Sequence, residues 1–257
     1  MKMNSAAVLL ILIVLVAAAP AQTPGPAKPD TAKPAAAAKL PAAKEILDRY
    51  VKALGGREAI EKIKSRVASG TLELVPMNLK GTFEAYAAPD AKSYTKMTIA
   101  GVGDLIEGTD GKTAWSVNPM QGSRDRTGAE LSQAKLNNDF YRDIRLEKLF
   151  PSIEVKGIEK VGEKDAYVVT GSAEGLPQET WYFDTKSGLM LRADLTAISP
   201  EGNQPLTVFY EDMKAVDGVL VPFRLRTQTP SFTIVLVSTK IEHNVAIDDA
   251  KFAKPKQ

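Results

Sequence analysis

From Arg66 to His243 the sequence is divided into short alternating runs by residues that turn a chain back on itself. The runs expected to be strands are Arg66–Val75, Leu79–Ala87, Ser93–Ala100, Asp104–Thr109 and Thr113–Asn118, and then, after an interruption, Glu154–Val161, Ala166–Ser172, Glu179–Asp184, Leu189–Ile198, Leu206–Lys214, Val219–Thr227 and Phe232–His243. Between them stand Asp110-Gly111, Ser187-Gly188 and Asp217-Gly218, pairs that supply the positive φ of tight hairpins. Strands joined this closely pair antiparallel, because a parallel return needs a crossover of about a dozen residues or more. Several runs exceed the usual length of about five or six residues, which suits a strongly coiled sheet or unclosed half-barrel. The expected fold is therefore α+β, a large curved antiparallel sheet of about eleven or twelve strands.

Such a sheet has an apolar face that needs a cover, and the sequence offers two amphipathic segments. Ile46, Leu47, Tyr50, Val51 and Leu54 repeat as one helical stripe behind Pro41, and Gly55-Gly56 ends it. A short second helix is expected at about Glu58 to Lys64. The central interruption opens at Thr127 with Glu130 three residues on, a capping-box pattern, carries Leu136, Phe140 and Ile144 at i+4 spacing, and closes at Pro151. It reads as a helical lid. Within the strands, Phe232, Ile234 and Leu236 face one way and Thr233, Val235, Val237 and Ile241 the other, while Trp181 and Phe183 oppose Thr180, Tyr182 and Asp184.

The first 21 residues read as a secretory signal peptide: Lys2, an uncharged apolar run from Ala6 to Ala19, and small residues at Ala19 and Ala21 before a cleavage. At ~1.5 Å per residue that run spans about 21 Å, short of the ~30 Å hydrocarbon core of a bilayer, so a cleaved leader is expected, with an uncleaved N-terminal anchor as the alternative. Residues 22 to 41 collapse to Ala, Pro, Lys and Thr, the composition of a semi-flexible linker. A single domain from 42 to 257 follows, and the mature protein is expected to be periplasmic or secreted, with at most peripheral membrane contact.

Composition removes much chemistry. The chain has 33 basic and 31 acidic residues, too even a balance for nucleic-acid binding, which needs a concentrated basic face. Having no cysteine, it has no disulfide, thiol nucleophile or thiolate metal site, and the one histidine, His243, has no partner for a multi-histidine site. Gly101-Val102-Gly103 precedes a strand, not a helix, and reads as a hairpin turn. No Gly-x-Ser-x-Gly elbow occurs. His243 reads as a surface or rim histidine at a strand end, Asp248-Asp249 as a turn or tail contact, and Arg124-Asp125-Arg126 and Arg142-Asp143-Ile144-Arg145 as solvated faces and not a phosphate clamp. No catalytic residue, cofactor or metal is expected, and the chain is read as not an enzyme.

Local phrases point to a family. Ala43-Lys44-Glu45-Ile46-Leu47-Asp48-Arg49-Tyr50 with Ala53-Leu54-Gly55-Gly56, then Asp110-Gly111-Lys112-Thr113-Ala114-Trp115 with Asn118-Pro119-Met120-Gln121-Gly122, and the closing Asp248-Asp249-Ala250-Lys251-Phe252 resemble members of the outer-membrane lipoprotein-sorting proteins, the LolA/LolB-like fold. The resemblance runs from Pro41 to Lys254 by pattern and short phrases, and the chain departs from some carriers of the family in lacking their cysteine pair. It implies an unclosed barrel with a helical lid around a hydrophobic cavity. Trp115, Met120, Phe140, Ile144, Trp181 and Phe183 are the residues expected to line it, large aromatic or adaptable side chains that bury apolar area at small entropic cost. The expected function is a periplasmic carrier or binder of a lipid or of lipoprotein acyl chains, with an envelope protein accepting the cargo. The alternative is a protein-interaction or envelope-sensing adaptor with a filled core and no ligand.

Overall fold

The hairpins form where residues tolerant of positive φ stand: Gly111, Gly188 and Gly218 have φ of 88°, 77° and 81°. The structure, a computed structural model, describes residues 40–255; the expected leader and most of the linker lie outside them. Six strands make a first meander: β1 Arg66–Val75, β2 Leu79–Ala88, β3 Lys92–Ile99, β4 Gly103–Asp110, β5 Ala114–Asn118 and β6 Gly122–Arg126. Seven make a second: β7 Ser152–Val161, β8 Lys164–Ser172, β9 Glu179–Asp184, β10 Met190–Ala197, β11 Gln204–Val216, β12 Val219–Gln228 and β13 Thr233–His243. The meanders join where the first strand meets the last, β1 pairing antiparallel with β13 from Arg66–His243 to Val75–Thr233. One unclosed sheet results, in the order β6-β5-β4-β3-β2-β1-β13-β12-β11-β10-β9-β8-β7.

This order fixes the place of the lid. The edges of the sheet, β6 and β7, are consecutive in sequence, so residues 127–151 must cross from one edge to the other. They do so in pieces: α3 Gly128–Asn137, a 3-10 turn at Arg142–Ile144, and α4 Leu146–Leu149. The single helix expected from the Leu136, Phe140, Ile144 spacing is broken because local polar side chains capture the backbone. The Asn138 Nδ2 donates to the Ala134 carbonyl at 2.8 Å, and the Asp139 carboxylate accepts the Tyr141 amide at 2.8 Å. The capping box does not form either. Thr127 makes no side-chain cap, and Glu130 is held instead by Arg124.

Two further expectations are corrected. Arg124-Asp125-Arg126 is not a solvated face but part of β6, a thirteenth strand, since its arginines turn inward to Glu107 and Glu130. Ile241 does not share a face with Val235 and Val237. Ser69 pairs with Lys240 and Gly70 with Ser238, so Thr239 is bulged out and Ile241 moves to the inner side.

Helix α1, Ala43–Ala53, lays Ile46, Leu47, Tyr50 and the following Leu54 on the concave face, while the second helix, α2, is a single turn at Arg57–Ile60. The end of α1 is fixed to the β11–β12 hairpin: the Leu220 amide donates to the Leu54 carbonyl at 2.8 Å. Gly55 approaches Gly218 so closely that a Cβ would lie 2.2 Å from its carbonyl oxygen. After β13 a 3-10 turn, Asp249–Phe252, packs Phe252 against Trp115 and Tyr94 on the convex face.

Candidate functional site

Strand alternation sends every second side chain to the concave side. Across the first meander one rung of that face reads Arg66, Ala87, Ser93, Thr109, Ala114 and Arg126, with His243 beside Arg66 on β13. Further along the same strands the face turns apolar, where Leu72, Phe83, Met97 and Leu105 cluster with Ile234 and Leu236. Over the second meander α1 and the lid cover Val169, Trp181, Phe183, Ala193 and Val208. The interior therefore has a packed apolar cluster on each side of a polar middle.

That middle is a buried ionic network. The Tyr50 hydroxyl donates to Asp143 Oδ1 at 2.8 Å, joining α1 to the 3-10 turn of the lid. Arg142 pairs with Glu179, whose carboxylate also accepts Trp181 Nε1 at 2.8 Å. Arg66 Nε donates to His243 Nε2 at 3.2 Å, and Asp217 stands 3.4 Å from His243 Nδ1. Burial pushes the Asp143 pKa up to about 6, against the hydrogen bond from Tyr50 and the guanidiniums of Arg66 and Arg142. Burial likewise lowers Arg66 to about 10 and, with the Arg66 charge, His243 to about 4. So His243 is a buried neutral imidazole, not a surface group, and Arg142 and Asp143 belong to the core, not to a solvated face. Asp248 and Asp249 do make turn and tail contacts, accepting the Ala250 amide and pairing with Lys92 at 2.8 Å.

Small spaces open onto this interior. One, of about 20 Å³, is lined by Arg142, Asp143, Glu179, Trp181 and Tyr210 and has room for about one water. A second, also of about 20 Å³, lies beside α3 between Glu130, Gln133, Glu179 and Leu195. A third, of about 40 Å³, is a cleft between the first meander and Glu201 of the β10–β11 loop, with Met97 and Leu105 as its floor and Glu107, Arg124 and Arg126 on its wall.

Four of the six residues expected to line a cavity meet beneath the lid: Phe140, Ile144, Trp181 and Phe183 belong to one buried cluster. Phe150 meets Trp181 edge-on at 4.8 Å, and Tyr50 lies 5.1 Å from Phe183. Trp115 is on the opposite, convex face, buried beside Tyr94 at 6.1 Å over Gly108, where a Cβ would lie 2.3 Å from its ring. Met120 stands on the β5–β6 hairpin, 76% exposed, between the cleft-lining Asn118 and Gln121. Sequence reasoning missed Tyr50, Arg66, Asp143 and Glu179 as a group, because residues so far apart in the chain carry no local spacing that marks them. Among the described residues no group of three or more His, Asp or Glu could hold a metal ion, and no helix is long and apolar enough to cross a membrane.

No protein-family model matches the sequence, and no curated protein matches it. Solved structures do. A DUF1329 family protein from Desulfovibrio piger is 16% identical, with a TM-score of 0.56 over 82% of this chain and 96% of that one. A LolA superfamily protein from Nitrosomonas europaea is 14% identical, with a TM-score of 0.55 over 82% of this chain and 97% of that one. An unclosed thirteen-strand sheet whose two edges are bridged by a broken helical segment is thus a divergent LolA-like fold.

Proposed function

We propose that this protein is a non-enzymatic periplasmic carrier or binder of a hydrophobic ligand, a lipid or the acyl chains of a lipoprotein, built as one domain behind a cleaved leader and a linker. The observation that carries this reading is the way the apolar interior is shut. Of α3 only Ala134 is buried, so the helix adds little apolar area to the core. Side-chain hydrogen bonds and ion pairs tether it: Gln133 donates to the Thr196 carbonyl at 2.7 Å and accepts the Ile198 amide at 2.9 Å, while Glu130 holds Arg124. The α3 part of the cover, tied down by polar groups, can be exchanged for water at small net cost, whereas each Å² of apolar ligand surface buried beneath it returns roughly 25 cal/mol. Phe140, Ile144, Trp181 and Phe183 are the lining we assign under the lid, with Met120 at the mouth. An acceptor of higher affinity in the envelope would take the cargo.

The small volume of these spaces favours a second reading, an interaction module with a filled core. Native mass spectrometry of the mature protein, purified without detergent, separates the two. A lipid or acyl adduct, weakened by Phe140→Leu and untouched by Trp115→Leu on the far face, is expected for the carrier. A bare mass with no binding of a hydrophobic dye would leave the interaction module.

A further inference from the structure

The cleft beside β6 carries a second feature that the carrier reading does not use. Arg124 lies opposite Ser116 and Arg126 opposite Ala114, so both point to the concave side above the Met97 and Leu105 floor. Glu130, arriving from the lid, places both carboxylate oxygens on the Arg124 fork, at 2.8 and 2.5 Å. Its Oε1 stands 3.6 Å from Arg126 Nε, an N–H that is buried and has no hydrogen-bond partner among the described residues. Arg126 meets Glu107 at 2.6 Å through its other end. One carboxylate of the protein thus sits in a place that presents three N–H donors, using two, where this cleft borders a second small space lined by Arg126, Glu130, Ala134 and Leu195.

We propose that Arg124 and Arg126 form a head-group site for an amphiphile of single negative charge, and that Glu130 of the lid is its occupant in the closed state. This rests on the carrier reading and adds to it the class of ligand and the trigger for opening. The charge count limits the class. With Glu130 withdrawn, two arginines face Glu107 and, across the cleft, Glu201. One incoming negative charge restores the total that the closed site already holds, and a doubly charged head exceeds it. A carboxylate or a phosphodiester on an alkyl chain meets this condition: its oxygens take the Arg124 fork and Arg126 Nε, and its chain runs onto Met97 and Leu105. Among the described residues, displacing Glu130 removes one of the two side-chain tethers of α3 to the sheet and leaves Gln133 alone, so head-group binding shifts α3 toward its open state.

Calorimetry at low salt with three probes below their micellar concentrations tests this: dodecanoate, lauroyl lysophosphatidylglycerol and dodecyl maltoside. Glu130→Gln, which removes the competing charge and loosens the tether, is expected to tighten the two anionic probes about five- to tenfold more than it tightens the maltoside. Arg124→Met is expected to weaken the anionic probes about tenfold and spare the maltoside. Whichever anionic probe binds more tightly identifies fatty acid or phospholipid as the source of the head group. If all three probes bind wild type equally, or if Glu130→Gln leaves the anionic affinities unchanged, the head-group site falls and the carrier reading stands. If no probe binds any of the three proteins, both fall.

Discussion

Replacing Asp143 by asparagine measures what the polar middle costs the fold. The Asp143 carboxyl has an ordinary pKa of 3.8 and a folded value of about 6. An acid whose folded pKa is raised favours the folded state while protonated. Its contribution is complete below about pH 3.8 and is lost as the pH rises through 6. At 1.36 kcal/mol per unit, that loss is about 3 kcal/mol by pH 7.5. Asparagine keeps the volume and the oxygen that accepts the Tyr50 hydroxyl, and it cannot ionise. Urea unfolding of both proteins, followed by tryptophan fluorescence from pH 3.5 to 8, gives the variant's stability minus that of wild type. This difference is expected to rise by about 3 kcal/mol across the range, whatever fixed offset the amide introduces. His243 works the other way in each protein: lowered from 6.5 to about 4, it contributes stability that is full above pH 6.5 and lost as the pH falls through 4. Because it is present in both proteins, the subtraction removes it. A difference that is flat in pH, or that falls, would mean that Arg66 and Arg142 hold the Asp143 charge at no cost, and the argument from burial would be wrong.

Two other outcomes are expected. Gln133→Ala cuts both backbone contacts of α3 to the end of β10, so hydrogen exchange at the Ile198 amide should quicken at least tenfold with a loss of only about 1 kcal/mol in global stability; unchanged exchange would show that the helix is held by something else. Gly171→Ala would set a Cβ 2.2 Å from the Trp181 ring, so a drop of several degrees in melting temperature is expected, from overpacking of about 1–3 kcal/mol, and an unchanged midpoint would refute the close approach.

Local chemistry carried most of the fold into legibility. Hairpin signals such as Asp110-Gly111 and Asp217-Gly218 act over a few residues, and the strands they bound appear within one or two positions of expectation. What failed depended on partners far away in the chain. Arg124-Asp125-Arg126 looks solvated until Glu107 and Glu130 are placed beside it, and Ile241 looks outward until the bulge opposite Ser69-Gly70 is known. The candidate site divides the same way. Phe140, Ile144, Trp181 and Phe183 were legible as large apolar side chains on elements that must meet. Trp115 has the same composition but the opposite strand parity, since its cross-strand partner is Gly108 while the inward position of that pairing belongs to Thr109 and Ala114. A buried Asp next to an Arg has no such signature in a single sequence. Charge in a chain reads as surface until pairing and burial are seen together.

The single seam between β1 and β13 sets a kinetic schedule. Within each meander a strand pairs with its sequence neighbour, so those contacts close over short loops and form quickly. The seam joins a strand that ends at residue 75 to one that begins at 233. During synthesis β1 must therefore wait for nearly the whole domain with one row of amides and carbonyls unpaired. Over that interval the first meander presents an open sheet edge with Val67, Leu72 and Leu74 along it, a template for another chain as much as for β13. Aggregation of this protein should accordingly track how long β13 is delayed, and truncation just before Thr233, which leaves both β1 and β12 unpaired along one side, should make it worse.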